Sequence, residues 1–349
     1  MRSAGRTGVG RRLAEPRAGA AQRAERVGTA GGTGPTVGVE ARVEVRPPGP
    51  YRLPGALPDG TLRRRGGVVV RLWRQDGHDL LLRAAQSRDG RVTLGARIVG
   101  SRTPGAGDPR RAVADALERW RFALAVDDDL RPFLAAHRDD PLIGPSLRAR
   151  PWWRPSRRPS VFEALLCAFC EQLIAYEDAV AITRRIAHRH GPAATWAPTG
   201  GEPMRLWAPP DAATVARDLV PADLEACGLA PSRAAALHRA ARELASGRID
   251  ELGDPDRLLL RLGRLPEIGS WTLALVATQG VGRTDRPPAG DLNLRKALGR
   301  MRTGDPRSRV PEADVDVWLA PYAPWGALAA AHLMARRPDT LPTAPPVAA

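Results

Sequence analysis

The sequence predicts an α+β protein: a small antiparallel β-rich N-terminal domain followed by an all-α domain. Three observations predict it. Between residues 38 and 99, short β-rich runs are separated by Gly or Asp-Gly turns. Beyond residue 151, apolar residues recur at helical spacing to the end. The chain has 349 residues, 43% of them apolar, enough for two domains and a substantial core.

Residues 1–38 are rich in Gly, Ala and Arg and are expected to be a disordered tail. They lack the apolar core of a secretory signal. A β-rich domain over 39–126 follows, with strands at 38–46, 67–75, 78–86 and 91–99 and turns at Asp76-Gly77 and Asp89-Gly90. A helix over 108–124 opens on Asp108-Pro109, an N-cap and a first-turn proline. Residues 151–160, PWWRPSRRPS, are an extended connector. The all-α domain spans 127–340, and 341–349 is a second disordered tail. In it, Ser160-Val-Phe-Glu163 forms a capping box. Phe162, Leu165, Leu166, Phe169 and Leu173 then share one helical face. Residues 221–247 give a short helix, a Gly-Leu-Ala-Pro turn and a longer helix, and Asp254-Pro255 caps another. The last helix covers 324–337 and stops at Pro338.

The net charge of +15 points to a polyanionic partner, although codon bias towards Arg, Ala, Gly and Pro gives the same composition. Cys167, Cys170 and Cys227 are too few for a disulfide framework or a four-cysteine iron–sulfur cluster. Cys167 and Cys170 lie one turn apart in an apolar helix and belong to its core; no metal site is signalled. The cysteine usage fits a cytoplasmic location, in a bacterial cytoplasm or nucleoid, and no apolar run is long enough for a membrane span. Lys296 is the only lysine, so lysine chemistry has one candidate.

The stretch LPEIGSWTLALVATQG (265–280) breaks at Leu265-Pro266, turns through Glu267-Ile268-Gly269 and restarts as an apolar helix. The first N–H groups of that helix lack internal partners, and Gly269 leaves room for a phosphate to approach them. A tight turn between two helices is the plainer reading of this stretch alone. Asp291 precedes LNLRKALGR and is a good N-cap. Capping and catalysis are compatible there, because the positive end of the helix dipole attracts the carboxylate charge.

Leu-Pro-x-Ile-Gly, then Trp271-Thr272, a helix and Asp291 together resemble the helix-hairpin-helix DNA glycosylase superfamily. The nearest likeness is to its 3-methyladenine DNA glycosylase II branch. The likeness spans about residues 40–340 and includes the entry helices around 131–175, the pair before the hairpin, and APYAPWGALAAAHLM at the end. It implies a monofunctional glycosylase of base excision repair. Such an enzyme flips a damaged base from double-stranded DNA and cuts its N-glycosidic bond without a cofactor. By position, Asp291 matches the carboxylate that stabilises the oxocarbenium ion and orients water. Leu265, Pro266, Ile268 and Gly269 match the DNA-binding hairpin, and Gln172 and Leu173 the segment that wedges into the minor groove. Trp271, Leu275 and Met334 match pocket positions. Bifunctional relatives carry a Schiff-base lysine where this chain has Trp271, so no lyase step is expected, and the protein is expected to act as a monomer.

The chain departs from the pattern in four places. Glu267 replaces a hairpin glycine, Ala175 replaces a common Ser or Thr, and Leu275 and Met334 stand where aromatics are usual. Alkylated purines such as 3-methyladenine are the expected substrates. A glycosylase of altered base choice, a non-catalytic DNA-binding protein on the same fold, and a protein whose basicity reflects codon bias alone remain open alternatives.

Overall fold

Alternating aliphatic residues build the sheet. In the computed structural model, which describes residues 38–101, 106–198 and 200–335, five strands lie in the order β1-β5-β4-β3-β2 with all neighbours antiparallel. They are β1 (Glu40–Val45), β2 (Arg63–Arg65), β3 (Val68–Gln75), β4 (His78–Gln86) and β5 (Val92–Ser101). Asp76 and Gly77 both take positive φ, +49° and +79°, the primed turn that suits the twist of two paired strands. Helix α1 (Pro109–Leu124) starts on Asp108, whose side chain accepts the Arg110 N–H. It buries Val113, Ala116, Leu117 and Trp120 against Val69, Leu80, Leu82, Leu94 and Ile98. The Trp120 indole N–H donates to the Arg83 carbonyl at 2.9 Å.

The remaining elements are α2 (Arg131–His137), α3 (Gly144–Ala149), α4 (Val161–Glu171), α5 (Tyr176–His190), β6 (Ala193–Trp196), β7 (Met204–Trp207), α6 (Ala212–Asp218), α7 (Pro221–Glu225), α8 (Pro231–Ala245), α9 (Pro255–Leu262), α10 (Ser270–Val276), α11 (Leu292–Thr303), α12 (Glu312–Leu319) and α13 (Gly326–Met334). A π-helical turn, Ala277–Val281, extends α10, and a 3-10 turn, Ala320–Tyr322, extends α12. No helix among the described residues is long and apolar enough to cross a membrane.

These helices enclose two apolar clusters. Phe162, Leu165, Leu166 and Phe169 pack with Ile182, Ile186, Leu237, Leu262 and Val276. Phe133, Ile143 and Leu147 pack with Leu294, Leu298, Val315, Leu328 and Leu333. The chain thus begins one lobe, crosses to the other, and returns to complete the first. Cys167, Cys170 and Cys227 are buried, and burial pushes the Cys170 thiol up to about 12, as core cysteines require.

The region beyond residue 151 is not purely helical, contrary to its periodicity. The β6–β7 hairpin was missed because each strand has only four residues, too few to show a period. It forms because Trp196 and Leu206 cover Val70, Leu72 and Leu81, so the five-stranded sheet is buried on a second side. The three-residue β2 was missed for the same reason. The last helix begins at Gly326 rather than at 324, and Pro338, like residues 1–37 and 341–349, lies outside the described residues. Leu173 does not continue the α4 stripe, because α4 ends at Glu171. The capping box is half made: Ser160 Oγ accepts the Glu163 N–H at 3.1 Å.

The Glu163 side chain is drawn away to a larger task. It forms ion pairs with Arg71 of β3 and, at 3.5 Å, with Arg158 of the connector. Arg158 also bonds Asp59 at 2.7 Å, and Asp59 accepts from Thr61. All five residues are buried. Charges taken out of water this way are tolerable only while each keeps its partners. Glu163→Ala is therefore expected to destabilise the protein by about 3–5 kcal/mol in urea unfolding. The double variant Arg71→Met/Glu163→Leu is expected to recover much of that loss, because the orphaned charge goes too.

Candidate active site

The site lies where the two lobes meet, and Asp291 sits at its centre. Pro287-Pro288-Ala289-Gly290 cannot continue a helix, so α11 starts afresh on Asp291. Asp291 Oδ1 accepts the N–H groups of Asn293 and Leu294, both at 2.9 Å. Its Oδ2 accepts the indole N–H of Trp271 at 3.2 Å, from the second residue of α10 in the other lobe. The N-cap expected of Asp291 is present, and the same carboxylate also ties the lobes together. Gly290 makes that approach possible. A Cβ there would lie 3.2 Å from Trp271 Cβ and 3.4 Å from Glu312 Oε2, so a larger residue would push the tryptophan away. A second tie crosses nearby, from Ser270 Oγ to Glu312 Oε1 at 2.6 Å.

A cavity of about 300 Å³ opens beside Asp291, at the small end of ligand-sized pockets. Leu275 and Met334 line it. Trp271 does not; it stands beside the cavity as the hydrogen-bond donor to Asp291. Pro155 and Ser156 of the connector, and Thr278 and Gln279 of the π-helical turn, also line it. Sequence reasoning missed these four. The connector looked like a spacer, and nothing in ATQGV announces a π-helical turn. Such a turn inserts one residue per turn and is frequent at functional sites. The connector is held by Arg158 N–H donating to the Gln279 carbonyl at 2.8 Å, and by Arg157 paired with Asp128 at 2.7 Å.

The hairpin divides its residues between core and surface. Ile268 is buried in the lobe core and Leu265 packs against it, so both side chains anchor the turn to the core. The turn thus sends its first and fourth side chains inward. Pro266, Glu267 and Gly269 are exposed. Gly269 is the N-cap of α10, with open space where a Cβ would be. Glu267 takes φ +63°, the left-handed conformation that explains why glycine suits this position. Gln172 steadies the turn: its Nε2 donates to the Glu267 carbonyl at 2.9 Å and to Thr272 Oγ1 at 3.0 Å.

Gln172 also fixes its neighbour. Its carbonyl accepts from Arg233 Nη1 at 2.6 Å, and Leu173 then turns through φ +57°. Leu173 is 95% exposed. A leucine in that conformation costs of order 1–3 kcal/mol, and exposing it forgoes the burial that would offset the cost. Lys296 lies further along α11 on an exposed face.

Glu171, the last residue of α4, was not anticipated. Burial pushes its carboxyl above the ordinary value of 4.5; Arg158 opposes the shift, while Asp59 and Asp291 add to it. Its neutral form is therefore favoured on folding, and the stability this supplies at low pH is lost as pH rises through the elevated pKa. Glu171→Gln is expected to raise Tm at pH 8. The gain should shrink towards zero as pH falls below about 4.5, in thermal melts across that range.

No family model and no curated protein matches the chain. Solved structures do. A 3-methyladenine DNA glycosylase from Archaeoglobus fulgidus superposes with a TM-score of 0.65 at 19% identity, covering 84% of this chain and 96% of that one. MBOgg1 in complex with a low-affinity DNA ligand gives 0.55 at 13% identity, covering 78% and 96%. The 8-oxoguanine glycosylase/lyase of Clostridium acetobutylicum, bound to double-stranded DNA with cytosine opposite 8-oxoguanine, gives 0.54 at 13% identity over 78% and 96%. The chain thus has the fold of these solved DNA glycosylases.

Proposed function

We propose that the protein is a monofunctional DNA glycosylase that releases alkylated purines of the 3-methyladenine type. One observation carries the reading: among the described residues, Asp291 is the single acidic or basic side chain lining the cavity. A neutral base departs far more readily when an acid in the pocket protonates it. An alkylated purine is already cationic. When its C1′–N bond breaks, the electron pair neutralises the base, and no acid is required. The positive charge passes to the sugar as an oxocarbenium ion, where Asp291 stabilises it. Water then attacks C1′ and yields its proton to Asp291. Three N–H donors hold the carboxylate in place, so it need not reorganise as the charge develops.

Leu173 suits the wedge that fills the space left by the flipped base, being apolar, exposed and rigidly presented. The exposed backbone at Gly269 and Ser270 suits a phosphate of the same strand. Trp271, in place of a lysine, leaves no amine to form a Schiff base, so an intact abasic site is the product.

Base release from methylated duplex DNA, measured beside DNA binding, tests the reading. Asp291→Asn is expected to lose about 10²–10³-fold in release rate with binding retained. Release by neither protein, with binding retained, would point to a non-catalytic DNA-binding role. Leu173→Ala is expected to slow release from duplex substrate by about tenfold or more. It should act as wild type on a single-stranded substrate, where no stacked base must be displaced.

A further inference from the structure

A second, basic cavity lies away from Asp291. It holds about 260 Å³ and is lined by Asp59, Gly60, Arg63, Arg184, Ala187, His188, Arg205 and Trp207. The three arginines come from separate elements: β2, α5 and β7. All three are exposed, and among the described residues none has an ion-pair or hydrogen-bond partner for its guanidinium. Most arginines around them are spoken for: Arg65 donates to the Glu202 carbonyl, Arg71 pairs with Glu163, and Arg185 donates to the Cys227 carbonyl.

Three unpaired guanidinium groups drawn to one concavity repel each other, and folding alone gains nothing from the arrangement. The one carboxylate in the lining does not neutralise them. Asp59 is buried, with Oδ2 on Arg158 at 2.7 Å and Oδ1 on Thr61. Gly60 leaves the floor flat, and Arg63 Nη1 lies 3.9 Å from where its Cβ would stand. Opposite, His188 stacks on Trp207 with ring centroids 4.2 Å apart at 30°, which stiffens the wall.

We propose that Arg63, Arg184 and Arg205 form a phosphate-binding site. Planar forks with five donors each match the oxygens of a phosphate, and three of them supply the charge for it. The phosphate has two available sources: the backbone of a bound duplex, or a free phosphate such as that of a mononucleotide. Reach permits the first. Helix α5 begins three residues after Leu173, and Arg184 lies eight residues along it, about 12 Å down the axis. That distance corresponds to a few base pairs of duplex, at about 3.4 Å each. The duplex source rests on the function proposed above; the free-phosphate source does not.

The experiment uses the full chain, the variant Arg63→Gln/Arg184→Gln/Arg205→Gln, and a control that removes equal charge elsewhere, Arg42→Gln/Arg88→Gln/Arg97→Gln. Kd for a 24-base-pair duplex with a central abasic-site analogue is measured against salt. Tm is measured with and without inorganic phosphate or adenosine monophosphate at millimolar concentration. With a backbone phosphate in the site, the variant binds the long duplex about tenfold more weakly than the control, and the magnitude of its salt slope is smaller by about 1 or more. With a free phosphate in the site, phosphate or the mononucleotide raises Tm of wild type and control but not of the variant. If the variant matches the control in both measurements, the proposal is overturned. If wild type does not bind the duplex, the glycosylase reading fails, and the Tm arm alone decides the phosphate site.

Discussion

One buried carboxylate, Glu163, sets the frame from which the site is built. It stands in the first turn of α4 and answers two buried arginines, one from the sheet and one from the connector. That fixes the start of α4 against the N-terminal sheet. Eight residues later, about 12 Å along a stiff rod, α4 ends at Glu171, next to the Gln172 that holds the hairpin. Gln172 bonds Thr272 and the Glu267 carbonyl, and the turn so fixed presents Trp271 to Asp291. A chain of contacts therefore runs from the sheet to the centre of the cleft. The packing there is close: at Gly290 a methyl group would stand 3.2 Å from Trp271 Cβ, tight enough that a neighbour must give by a few tenths of an ångström.

Asp291 carries two duties that do not compete. One oxygen satisfies two orphan N–H groups at the start of α11, and the other takes the Trp271 indole. The cap is an ordinary device of helix stability. Its placement at the seam between two apolar clusters makes it available to the cavity. The lobes meet through polar ties, Trp271 to Asp291 and Ser270 to Glu312, and each cluster has its own apolar core. Within the proposed function, an uncharged pocket with one carboxylate on its rim favours a base that arrives already positive.

Positive charge is distributed unevenly in its consequences. Many arginines of this chain are structural. Arg71 and Arg158 are buried in the charge network, Arg157 pairs with Asp128, and Arg233 holds the carbonyl of Gln172. The net charge of +15 is therefore a poor guide by itself to a binding surface. Guanidinium groups left without partners, as at Arg63, Arg184 and Arg205, are more informative than the total. Glu267 on the exposed hairpin works against this positive field, held there by a backbone conformation that glycine would adopt at less cost.

Much of the fold was legible in the sequence because it depends on local rules. Asp108, Asp254 and Asp291 cap the helices they were expected to cap, and Asp76-Gly77 makes its hairpin turn. Proline-glycine punctuation located the hairpin, and periodicity located the apolar face of α4. Tertiary structure decided what those rules leave open. β6 and β7 are strands because the sheet offers them an apolar side to cover. Glu163 abandons its own cap because Arg71, 92 residues away, is buried beside it together with Arg158 of the connector. Leu173 leaves the helical stripe, and Pro155, Ser156 and Gln279 become cavity walls, through contacts made across the chain. Caps and periods are set by neighbours within a turn or two, whereas burial of a charge or the lining of a cleft is set by residues that meet only after the chain has folded.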